Sequence, residues 1–84
     1  MPYIGHAARG KFEQHIEALI DEVTTDGQVN FIITRIIDRV YGKGRYESLN
    51  RAIGILECCK MEFARRRLFP YEEKKCKEHG EVYE

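Results

Sequence analysis

DGQVNFIITRIIDRVYGKG, residues 26–44, decides the fold class. Val29, Ile32, Ile33, Ile36, Ile37 and Val40 recur at spacings of three and four, which lines them along one face of an α-helix. The helix is predicted over about Gln28 to Tyr41. Thr25-Asp26-Gly27 supplies a turn and an N-cap candidate before it, and Gly42 and Gly44 end it. Upstream, Phe12, Ile16, Leu19, Ile20 and Val23 repeat the pattern and predict a helix from about Ala8 to Val23. Downstream, Leu49, Ala52, Ile53, Leu56, Cys59 and Phe63 predict a third, starting near Tyr46 to Ser48 and reaching Leu68 or Phe69. Pro70 disfavours helical geometry at the residue before it but suits the first turn of a new helix. That last helix should end near His79, with Gly80 as a left-handed cap. The class is all-α: a compact three-helix bundle with a kinked or separate C-terminal helix after Pro70. The ends, MPYIG and GEVYE, read as short arms that either dock on the helices or pair as a small strand couple.

Composition narrows the function classes. The 84 residues make one domain with a modest core, 43% apolar and 33% charged, as in a soluble globular chain. Fourteen Lys+Arg balance fourteen Asp+Glu, which disfavours a protein built to coat nucleic acid, since such proteins carry excess positive charge for phosphates. Cys58, Cys59 and Cys76 form an odd set with two neighbours in sequence, not a secreted disulfide framework. A reducing bacterial cytoplasm is the expected setting. No apolar run approaches the ~20 residues of a membrane span.

The predicted core stripes leave apolar residues unused. Phe31 points almost opposite Ile33, while Gly54, Cys58, Met61 and Phe69 lie away from the Leu56 line. A homo-oligomer with these residues at its interface is expected. Gly54 costs about 1 kcal/mol relative to Ala in a helix interior, which close approach of a neighbouring backbone would offset.

Candidate sites for chemistry are sparse. Cys76 and His79 stand three apart, but nothing at a recognisable spacing supplies the further ligands of a tetrahedral metal site. No metal or cofactor is called for. Glu13, Glu17 and Asp21 form an acidic ladder of the kind that holds Mg²⁺ in small all-α nucleotide pyrophosphohydrolases. No matching acidic pair follows on the other helices, so a solvated face is the better reading. The three arginines 65–67 and the later Glu72, Glu73, Lys74, Lys75 and Lys77 mostly sit where helix ends favour their sign. Lys60 is mid-helix, where no end effect applies, and both it and Arg67 fall near the Leu56 line. Lys60, Arg66 and Arg67, with Tyr71 and Arg35, make a candidate site for an anionic, base-bearing ligand.

The chain also resembles a family of small proteins of bacteriophage and bacterial genomes that has no assigned reaction. The resemblance rests on MPYI at the start, DGQVNFIITRII from Asp26, YESLNRAIGILECCKMEFARRR from Tyr46, PYEEKK from Pro70 and HGEVY near the end. It implies a phage setting, in which small proteins without catalytic apparatus work by binding.

The expected function is therefore a non-enzymatic, homo-oligomeric helical protein that sequesters an anionic nucleotide through Arg35, Lys60, Arg66, Arg67 and Tyr71. The alternative is a protein-interaction module that inhibits a host factor through an exposed apolar face. A third reading is a Mg²⁺-dependent nucleotide pyrophosphohydrolase on the Glu13/Glu17/Asp21 ladder.

Overall fold

The computed structural model describes residues 2–83; Met1 and Glu84, the outermost residues of the two arms, lie outside the described part. Four α-helices follow in order: α1 (His6–Glu22), α2 (Asp26–Tyr41), α3 (Tyr46–Phe63) and α4 (Phe69–His79). A π-helical segment, Ala64–Leu68, joins the last two. The described residues include no strand, so the fold is all-α. They resolve into two units, residues 2–52 and residues from Ile53 onward, each taken by itself below.

In the first unit, α1 begins at His6, two residues before the expected start. Gly5 is extended at its N-cap and provides no side-chain cap. Arg9 instead donates from Nε to the carbonyl of Ile4 at 2.8 Å, tying the N-terminal arm to the first turn. The helix stops where Val23 becomes extended, ahead of the β-branched pair Thr24-Thr25.

A capping box starts α2. The Thr25 hydroxyl accepts from the Gln28 N–H at 3.2 Å, and Gln28 Oε1 accepts from the N–H groups of Thr25 at 3.1 Å and Thr24 at 2.7 Å. These bonds satisfy donors that a helix start leaves orphaned, and they draw Asp26 and Gly27 into the first turn. The expected start at Gln28 therefore moves two residues earlier. At the other end Gly42 donates to the Asp38 carbonyl at 2.8 Å and Gly44 to that of Tyr41 at 3.0 Å. A Cβ on Gly44 would collide with the side chain of Ser48, so this turn into α3 requires glycine.

In the second unit the helical path continues through Pro70. Proline has no N–H, and its ring presses on the carbonyl four residues back. The chain meets this by widening one turn: the Phe69 N–H donates to the Ala64 carbonyl, five residues back. Leu68 and Phe69 keep right-handed helical angles. Pro70 thus sits in the first turn of α4, as expected, and the alternative of a kinked or a separate helix there takes the form of a π-helical joint.

α4 ends at Gly80, whose N–H donates to the Cys76 carbonyl at 2.8 Å. Its angles, φ 92° and ψ 153°, are open in practice only to glycine. This corrects the expected left-handed cap: φ is positive, but ψ is extended.

The apolar stripes lie on the helices where periodicity places them, but they are open. Among the described residues Ala52 alone is a buried apolar side chain, at 5% exposure. Ile16 is 49% exposed, Ile20 56%, Ile33 47% and Ile36 53%. The spacing identified faces that need covering, and within the first unit those faces remain uncovered.

Candidate functional site

Of the expected ligand residues of the second unit, Lys60, Arg66 and Tyr71 lie against neighbouring side chains. Lys60, read as leaning toward a buried face, is instead an exposed side chain with Nζ 2.9 Å from the Glu57 carboxylate, one turn back. The correction has a simple cause: Leu56, which marks that face, is itself 37% exposed, so Lys60 reaches solvent and its i−3 carboxylate together. Arg65 binds both carboxylate oxygens of Glu62, at 2.6 and 3.1 Å, and Arg66 Nε stands 3.8 Å from the same group. Arg67 forms no ion pair among the described residues. Tyr71 has the Lys75 ammonium 5.6 Å from its ring centroid. Arg35, in the first unit, lies over the Phe31 ring at 5.2 Å. Among the described residues Lys60 and Arg66 thus lie against carboxylates, while Tyr71 and Arg35 take part in cation–ring contacts.

The residues expected at an oligomer interface are all on the surface. Phe31, Met61 and Phe69 are exposed, as is Cys58. A side chain added at Gly54 would meet nothing within 4 Å.

Two features were not read from the sequence. The first lies at the C-terminal end, where a cleft of about 510 Å³ is lined by Phe69, Tyr71, Cys76, His79, Val82 and Tyr83 among others. Glu81 closes it. One of its oxygens accepts from the N–H groups of Val82 and Tyr83, each at 2.8 Å, and the other takes the Cys76 thiol at 3.2 Å. The hydrogen bond from the thiol to Glu81, followed by desolvation and the negative charges of Glu81 and Glu73, raises the Cys76 pKa. The backbone bond from Tyr83, then the thiol and the Val82 N–H, lower that of Glu81. A thiol held protonated is a poor nucleophile and a poor metal ligand. Among the described residues no three His, Cys, Asp or Glu side chains gather as a metal-binding group. The available signal was Gly80 itself, which lets the residue after it turn back on α4.

The second feature is an apolar groove of about 430 Å³ where α1 and α2 meet, lined by Ile16, Leu19, Ile20, Val23, Val29, Ile32 and Ile33. These are the stripe residues that the sequence assigned to a core, which is why no site was expected there. A second hollow of about 470 Å³ opens beside it, with Phe31 and Thr25 in its lining. No polar group of the first groove converges on a ligand atom. It is shaped for apolar side chains.

A family model described as a domain of unknown function (DUF6899) matches residues 1–82. The chain belongs to that family. The match spans both units and nearly the whole sequence, in keeping with the expected small protein family. No curated protein and no solved structure matches the chain. Among the described residues no helix is long and apolar enough to cross a membrane.

Proposed function

We propose that this member of the DUF6899 family is a helical protein-interaction module, acting by docking apolar helix faces on another polypeptide and not by catalysis. The observation that supports this reading is the open apolar face of α1 and α2, with Ala52 the one buried apolar side chain among the described residues. Contiguous exposed apolar surface of this kind marks sites where protein meets protein. The resemblance to small phage proteins favours inhibition of a host factor as the outcome of docking.

A second reading keeps the anionic nucleotide. Arg67 supports it, as an exposed guanidinium with no carboxylate partner among the described residues, next to Arg66 and one turn before Tyr71. Exposed ion pairs such as Lys60–Glu57 are weak, at about 0–1 kcal/mol, and a phosphate could displace them.

Photo-crosslinking separates the two. A photoreactive side chain at Ile20 or Phe31 of the full chain should give adducts with a second polypeptide, whereas one at Lys43 should not. Absence of polypeptide adducts from the groove positions, or adducts only within the same chain, overturns the interaction module. A nucleotide-dependent rise in Tm that Arg67→Ala removes establishes the second reading instead.

A further inference from the structure

We infer that the α1–α2 groove is covered by a second copy of this chain, which lays the Ile36/Val40 end of its own α2 into the groove in a reciprocal, two-fold arrangement. The inference rests on the interaction-module reading and names the partner.

The argument is from charge. Between Phe12 and Thr34 every Asp, Glu, Lys or Arg is acidic: Glu13, Glu17, Asp21, Glu22 and Asp26. From Arg35 to Ala52 five basic residues stand against Asp38 and Glu47 alone. Within the first unit residues 13–34 are therefore purely acidic and residues 35–52 mainly basic, with Arg9 and Lys11 preceding the acidic stretch. Among the described residues none of these charged side chains between Glu13 and Arg51 forms an ion pair, whereas the second unit pairs Lys60, Arg65, Arg66 and Lys75 with nearby glutamates. Segregated charge left unpaired within the unit matches a partner with the same segregation reversed.

The placement of the charges agrees with that of the apolar residues. On α1, Glu13 and Glu17 fall within about 100° of the Ile16 line, so they rim the groove. On α2, Ile36 and Val40 continue the stripe of Ile33 beyond the groove, 53% and 66% exposed, and Arg35 and Arg39 flank them. The exposed ridge Ile36/Val40 with arginine margins thus complements an apolar groove with glutamate margins. Both features belong to one chain, so a two-fold axis satisfies both at once, each copy giving its ridge and receiving the other's. Complementary potentials of this kind fix register and suppress wrong pairings.

Reversing each margin tests this with the full-length chain. Glu13→Arg/Glu17→Arg and Arg35→Glu/Arg39→Glu alter exposed positions, and circular dichroism checks that helix content is retained. In sedimentation equilibrium the wild type should associate in the micromolar range. Each variant alone should weaken self-association roughly tenfold or more, because like charges then face each other. An equimolar mixture of the two should restore association, since the reversed margins complement one another. A wild type that stays monomeric at high micromolar concentration overturns the second copy as occupant. Association that ignores both reversals places the interface elsewhere and overturns the groove. Loss in both variants without rescue on mixing overturns the reciprocal pairing. If the wild type is monomeric while groove photoprobes still label a different polypeptide, this inference fails and the interaction module stands. Labelling confined to the same chain sinks both.

Discussion

Cys76 holds its proton because Glu81 is folded back to accept it. The two shifts act in opposite directions along the pH axis. The lowered pKa of Glu81 means that its part of the hold is complete above the ordinary carboxylate range and is lost as pH falls through the depressed folded value. The raised pKa of Cys76 gives a part present below the ordinary thiol value and lost as pH rises through the folded one. Both contributions are thus present through neutrality, and one of them fades at either extreme. Glu81→Gln removes the charge and should speed alkylation of Cys76 by iodoacetamide at mildly alkaline pH, read by peptide mass spectrometry. An unchanged or slower rate would contradict the assignment. Little of this was legible beforehand, since a contact between residues five apart depends on the angles of the glycine between them. Lys60 illustrates a different gap: Glu57 was visible one turn back, but whether a cation pairs locally or turns inward depends on whether its face is covered.

The helices themselves were legible because an amphipathic helix repeats every 3.6 residues, and substitution of any single residue hardly disturbs that signal. Thr25 was readable as a cap candidate, and the reciprocal bonds with Gln28 now fix the start of α2. Thr25→Ala should cost about 1 kcal/mol in urea unfolding, with the m-value unchanged. A loss near zero would mean that the box exists without stabilising the helix. The joint at Ala64–Leu68 was not legible. Pro70 announced a difficulty, but the sequence gives no separate mark for the remedy, because widening one turn uses ordinary helix formers with one hydrogen bond redirected.

At the scale of the molecule, apolar periodicity says which faces must leave water and not what covers them. Ile16, Ile20 and Ile33 were assigned to a core within the chain, but they line an open groove. If a second copy completes that groove, folding and association are linked, and apparent stability depends on concentration. Tm should therefore rise as protein concentration increases across the micromolar range, measured by circular dichroism. A Tm that does not move would argue against linkage. The formal net charge of zero conceals the arrangement that matters, because the opposite charges of residues 13–51 fall in successive stretches of the chain.

Widening the turn at Ala64–Leu68 also resets angular phase. One extra residue in a turn displaces everything downstream by about 100° from where an unbroken α-helix would carry it. A wheel drawn continuously from Tyr46 to His79 therefore assigns the wrong azimuth to every residue after Leu68. α3 and α4 run on two clocks with different zeros, joined along one path. A one-residue deletion that restores an unbroken α-helix here would keep the same side of α4 in place, because the residue removed is the one that the widened turn absorbs.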